Sequence, residues 1–281
     1  MSNATHAAGG SAARRPSEPG FARRLGHNVT DTLVMAQRNL LRYVRLPRLL
    51  MFSSIQPIMF VVLFAYVFGG AIRTPGVNYI NYLIPGILIQ TVLFGATQTT
   101  TGLADDLSKG IVDRFRSLPM ARSAVLAGRT LADGLLRNLF TVGLMLAVGA
   151  ILGFRFEGSA WQALASVGVV AFFGYAFSWI SALIGLLTRD PETAQVAGFI
   201  WVFPLVFASS AFVPVETMPH WLQAFAKVQP ISVTVNGVRY LTSGGAAPGV
   251  APGDVWQSLL WGAGILLAFV PLAVLQYRRA V

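Results

Sequence analysis

Long stretches without a charged side chain alternate along this chain with short stretches crowded with them. Charge-free runs cover residues 49–72, 74–104, 138–154, 158–188, 193–215 and 255–277, and no other such run reaches 17 residues. A helix that crosses a bilayer needs about 20 mostly apolar residues, with a range of about 17–25. It also satisfies its own backbone where hydrocarbon offers no partner. The pattern predicts six transmembrane helices, at about 49–70, 81–103, 123–153, 161–187, 194–213 and 255–276. The third is the end of a longer helix that starts near Ser123. Arg129, Asp133 and Arg137 recur every four residues on one stripe of it, expected among the headgroups, with Leu139 onward in hydrocarbon. Alternation of period two is absent, which argues against a membrane β-barrel.

The segments between the runs differ in kind. Residues 1–27 are rich in Ala, Gly, Ser, Pro and Arg, and a disordered tail is expected there. Over 31–46, Leu33, Ala36, Leu40 and Val44 recur at helical spacing, while Arg38, Arg42 and Arg45 fall on the opposite side. A basic amphipathic helix beside a span fits a helix lying in the membrane interface; it equally fits one packed on a soluble partner. In 105–119, Leu107, Ile111, Phe115 and Leu118 form an apolar face rimmed by Asp105, Asp106, Lys109, Asp113, Arg114 and Arg116. That pattern suits a short helix docked in a partner's groove or one tucked under the bundle. Residues 214–254 hold five prolines around HWLQAFAKV (220–228). Trp221, Leu222 and Phe225 make a small apolar face there, so a short interfacial or re-entrant helix is expected before the last span.

Composition agrees. Hydrophobic residues make up 54% of the 281 and charged residues 11%, less than half the roughly 25% of a soluble chain. A soluble enzyme is thereby excluded. The net charge of +10 needs no nucleic acid. Seventeen of the 21 basic residues lie in the N-terminal segment, the second-to-third and fourth-to-fifth connections and the C-terminus. The positive-inside rule then places both termini in the cytoplasm of a plasma membrane.

Catalytic chemistry is missing. There is no cysteine and no Gly-Lys pair, hence no phosphate-cradling loop of the G-x-x-x-x-G-K-[ST] type. His6, His27 and His220 are too far apart to form a metal cluster. No histidine or carboxylate lies in the hydrocarbon part of a predicted span, which argues against both an intramembrane hydrolase and an ion-coupled carrier. Catalytic, metal and cofactor residues are therefore expected to be none. Polar residues do line the spans. Gln90, Gln98 and the threonines around them on the second, with Gln195, Ser209 and Ser210 on the fifth, fit bonds across helices or contacts with a transported molecule. A transporter lacking an energy-coupling group of its own needs an external source of energy, and an ATPase docked on 105–123 is the simplest one. The competing reading is an ATP-independent secondary carrier or a membrane scaffold.

Three stretches resemble a known family: YLIPGILIQT (82–91), KGIVDRFRSLPMARSAVLAGRTLAD (109–133) and FVPVETMPHWLQAFAKVQPISVTVNGVRYLTSG (212–244). The chain from 28 to 281 is similar to the membrane subunits of ABC-2-type ATP-binding-cassette exporters, and among them to the daunorubicin-resistance-like permeases. The resemblance implies an all-α polytopic fold with six spans, and a dimer formed with a second copy or a related permease. It also implies two separate ATPase subunits that carry ATP and magnesium. In the family the N-terminal amphipathic helix and the second-to-third connection meet the ATPase. By resemblance these are the helix of Arg38, Arg42 and Arg45 and the segment of Asp106, Lys109, Arg114, Phe115 and Arg116. The family's extracellular helix maps onto Pro219, Trp221, Leu222 and Phe225. Drugs, lipids and glycolipids are the expected cargo classes.

Overall fold

The computed structural model describes residues 47–110, apart from positions 71, 73 and 75, and residues 122–280. The interfacial helix with Arg38, Arg42 and Arg45, and the segment with Arg114, Phe115 and Arg116, lie outside the described residues. Every element among those described is helical. In chain order they are α1 (Pro47–Val62, continued as π-helix to Phe68), α2 (Tyr79–Ser108), α3 (Arg122–Leu131), α4 (Asn138–Ile151), α5 (Ala160–Thr188), α6 (Pro191–Phe207), α7 (His220–Val228), α8 (Pro230–Thr242) and α9 (Pro252–Ala280). A π-helical stretch, Ala132–Arg137, joins α3 to α4, so one rod runs from Arg122 to Ile151.

Among the described residues, four helices are long and apolar enough to cross a membrane: Tyr79–Ser108, Leu126–Ile151, Ala160–Thr188 and Pro252–Arg279. Two further apolar helices are shorter, over Ser54–Phe68 and Pro191–Phe207. Their starts and stops have local causes. Asn78 caps α2 by accepting from the Ile80 amide at 3.0 Å. Ser159 and Gln162 close a reciprocal capping box at the start of α5. Asp190 caps α6 through the Thr193 amide at 2.7 Å, and that bond holds its carboxyl below the usual carboxylate range.

α2 is the axle of the bundle. It packs against α5, α6, α4 and α8, and α9 covers the far side of α5. Its middle is buried almost all round, with Leu83, Ile84, Ile87, Leu88, Val92 and Leu93 inaccessible or nearly so. Small residues let α5 approach it: a methyl at Gly185 would sit 2.5 Å from the Thr100 carbonyl oxygen. By contrast α9 turns Trp256, Leu260 and Leu267 outward, as a helix against lipid does.

The bundle has two unlike ends. At one end the starts of α2 and α5 meet α8, on which α7 packs; Glu157 N–H donates to the Thr242 carbonyl at 2.9 Å. Three highly exposed tryptophans, Trp161, Trp221 and Trp256, lie on elements of this end, in keeping with an interfacial aromatic belt. At the other end Leu103, Leu126, Leu186 and Tyr277 pack the ends of α2, α5 and α9 against α3. Arg278 and Arg279 lie in the last turn of α9 there.

The fifth run departs from expectation. A helix over 194–213 was predicted, but α6 ends at Phe207 and the chain runs irregularly to Pro214. At 17 residues it is about 25 Å long, short of the roughly 30 Å of hydrocarbon. The short helix expected around Trp221 is present as α7, while the equally well formed α8 behind it was not anticipated. Pro230 at its first position and Ile231, Val235 and Val238 on one stripe account for α8.

Candidate functional site

Four features carry the chemistry. The first is the capped end of α6. Backbone carbonyls beyond a helix end need partners when no water is present. Here side chains supply them. Gln229 Nε2 donates to the Ala208 carbonyl at 2.6 Å, Tyr82 Oη to that of Ser210 at 3.0 Å and Tyr79 Oη to that of Phe212 at 3.2 Å. Arg239 donates from Nη2 to the carbonyls of Ser210 at 2.6 Å and Ala211 at 3.2 Å, and from Nε to that of Tyr82 at 3.0 Å. Its guanidinium also lies over the Tyr82 ring, 3.5 Å from the centroid. This arginine is 3% exposed. The i, i+4, i+7 apolar stripe of Ile231, Val235 and Val238 on α8, next to which Arg239 falls, is the sequence signal that it faces inward. Phe64 stacks on Phe212 with centroids 4.5 Å apart and so ties α1 to the same junction.

An open cavity of about 330 Å³ lies beside this junction, walled by Tyr82, Glu216, Asn236, Arg239 and the 247–250 loop. α7 stands next to it. Trp221 and Phe225 on α7 are exposed, Leu222 is half-buried against Val215 and Met218, and Pro219 begins the helix.

The second feature is a polar recess of about 60 Å³ at mid-bundle, where α1, α2, α4 and α6 meet. Gln90 and Gln98, two turns apart on α2, both line it, together with Thr91, Arg137, Asn138 and Thr141. The close approach depends on Gly95: a methyl there would run into the Asn138 Oδ1 and lie 3.2 Å from Arg137 Nη2. Gln195 is not part of this recess. It stands on a third feature, the exposed apolar face of α6, with Val196, Ile200 and Phe203. Phe199 borders both. Of the polar residues expected to bond across helices, Ser210 does so, to Asn236 and Ser232 on α8, whereas Thr97 and Ser209 bond within their own turns.

The fourth feature is a charge cluster at the opposite end. Arg129 bonds Asp106 at the end of α2 and, at 3.3 Å, Asp133 on its own helix. Lys109 pairs with Asp105 at 2.8 Å and is largely exposed. Two corrections follow. The stripe of Arg129, Asp133 and Arg137 does not face headgroups; all three are buried, at 9%, 2% and 5% exposure, against α2 and α5. A carboxylate therefore does lie inside a long apolar rod, made tolerable by its ion pair. Nor does a new helix begin at Asp105, because α2 continues to Ser108 and Leu107 packs on the Leu103 cluster. Asp106 and Lys109 are described; their proposed partners in coupling, Arg114, Phe115 and Arg116, are not.

An irregular helix end sealed by an arginine, a polar recess among apolar helices and a charge cluster at the other end fit a polytopic membrane protein. The sequence comparisons say of which kind. Residues 30–242 match the profile described as ABC-2 type transporter. The chain belongs to this family. It is 34% identical over 251 residues to the daunorubicin resistance ABC transporter permease protein DrrB1 of Streptomyces coeruleorubidus, covering 89% of this chain and 87% of that protein. It is 31% identical over 255 residues to the probable doxorubicin resistance ABC transporter permease protein DrrC of Mycobacterium tuberculosis, covering 90% of each. The putative transport permease ycf38 of Cyanophora paradoxa is more distant, at 26% over 225 residues. This ABC-2 type chain is accordingly a multi-pass membrane protein whose relatives include drug-resistance permeases.

Proposed function

We propose that the chain is the permease subunit of an ATP-driven exporter that moves a hydrophobic or amphipathic molecule (drug, lipid or glycolipid) out across the bacterial plasma membrane. The observation that carries this reading is the family match, which extends through the 105–123 connection. In it the four long helices and the two shorter ones make six spans, with both termini cytoplasmic and α7 and α8 outside. Two copies, or one copy and a related permease, enclose the path. Two separate ATPase subunits bind ATP and magnesium and dock on Asp106, Lys109, Arg114, Phe115 and Arg116, with the Arg38, Arg42 and Arg45 helix beside them.

The geometry supports a route for coupling. Asp106, the first of the proposed docking residues, is bonded to Arg129 on α3. α3 continues without a break through the π-helical turn to Arg137, which lines the polar recess. A push on the docking segment thus reaches the recess along one rod, and a ligand shifts the balance of states only as far as it contacts them differently. Phe115→Ala and Arg114→Glu are expected to abolish ATP-driven export while membrane insertion, followed by immunoblot of the membrane fraction, stays intact. Normal export by both variants would refute the coupling assignment. A secondary carrier would work without any second subunit; the chain purified from its source should instead bring an ATPase with it.

A further inference from the structure

Gln90 is a costly residue for its position. It is 1% exposed in the middle of α2, and neither its amide nitrogen nor its carbonyl oxygen has a hydrogen-bond partner. Thr91 Oγ1 beside it also lacks one. Buried polar groups are paired as a rule, because leaving them unpaired forfeits their hydration. Both side chains line the mid-bundle recess. The other buried polar groups of its wall are spent on carbonyls. Asn138 Nδ2 donates to those of Val92 at 3.3 Å and Gly134 at 3.1 Å, Thr141 Oγ1 to that of Arg137 at 3.1 Å, and Arg137 Nη2 to that of Gly95.

The two open residues specify the occupant. Gln90 Oε1 calls for a donor and Nε2 for an acceptor, while the Thr91 hydroxyl takes either. A bare anion cannot donate to Oε1, and a metal or ammonium cation cannot accept from Nε2. Water does both at once. The space agrees. It holds about 60 Å³, several times the roughly 10–15 Å³ that one water needs. A pocket for a drug-sized molecule holds about 300–1,000 Å³, far more. A buried water makes about three hydrogen bonds, and Gln90, Thr91 and a neighbouring water supply them. The recess also has an entrance: Gln56 on α1 and Gln98 on α2 line it too, and both are exposed.

We infer that the recess is a hydration site: a small cluster of ordered water, entered past Gln56 and Gln98 and anchored on the Gln90 amide and the Thr91 hydroxyl. Such water gives α1, α2, α4 and α6 hydrogen bonds that are exchanged rather than broken when the helices shift. The inference does not depend on the exporter reading, and its test needs neither ATP nor transport. The full chain in nanodiscs, deoxygenated and equilibrated in heavy-oxygen water, is exposed to a short X-ray pulse, and hydroxyl-radical products are mapped by mass spectrometry. Phe94 is the reporter, because it lines the recess one turn from Gln90. Phe173, fully buried in the apolar core, is the reference. Phe94 should take up heavy oxygen several-fold faster than Phe173. Combining Gln90→Met with Thr91→Val removes the anchoring atoms at nearly constant shape. It should lower the Phe94 rate to that of Phe173, which itself stays unchanged. Should the double variant unfold, seen as a raised Phe173 rate, Thr91→Val alone is read the same way and should lower the Phe94 rate in part. A wild-type Phe94 rate no higher than that of Phe173 would overturn the inference, and is what a dry recess, or one filled by the hydroxyl of a larger molecule, would give. Undiminished Phe94 labelling in the variants would overturn it too.

Discussion

Arg239 shows how one residue closes a gap that a membrane protein cannot leave open. α6 stops short of a full span, and its loose carbonyls sit among protein groups rather than water. A guanidinium presents five donors in a rigid fork, which here reaches three carbonyl groups at once. Arg239→Met should strand the Ala211 carbonyl and leave that of Ser210 only its Tyr82 bond, at about 1–3 kcal/mol. The midpoint of thermal unfolding in detergent should fall by roughly 2–10 °C. Arg239→Lys should recover little, because a point charge cannot span the same acceptors. An unchanged midpoint for Arg239→Met would show that the seal is not structural.

Among the helices, the crossing of α2 and α5 is the most extensive. Gly185→Val should cost about 1–3 kcal/mol by overpacking against the Thr100 carbonyl. Gly143→Ala is the control: nothing lies within 4 Å of its added methyl, so the helix should gain stability by up to about 1 kcal/mol. Equal effects from the two, read as thermal midpoints, would contradict the crossing described. The charge-free runs made these elements legible because hydrocarbon tolerates few alternatives, and helix ends came within a few residues in most cases. The early end of α6 was not legible. An apolar run looks the same whether or not its backbone stays helical, and the partners that excuse the break (Tyr79, Tyr82, Gln229 and Arg239) are far away in sequence. Burial of the Arg129–Asp133–Arg137 stripe escaped for a similar reason: the spacing places three charges on one face without saying that α2 covers it. Gln90 and Gln98 do line one recess, Gln90 buried and Gln98 exposed, but Gln195, of the same type, lies on the exposed face of α6, which residue type alone does not reveal.

For the whole molecule, orientation and energy source matter most. The chain has no cysteine, so single cysteines report topology without background. Trp221→Cys should react with a membrane-impermeant maleimide on intact cells, and Ser108→Cys only after permeabilisation. The reverse pattern would invert the proposed topology and detach the charged rim from any cytoplasmic ATPase. The most direct measurement is transport in proteoliposomes, using fluorescent amphiphiles with phosphate, hydroxyl and amine heads, with this chain alone and with its co-purified ATPase. The account predicts movement of at least one amphiphile only when the ATPase and ATP are both present, abolished by vanadate. Movement at the same rate by the chain alone, or none by the complete assembly, would contradict it.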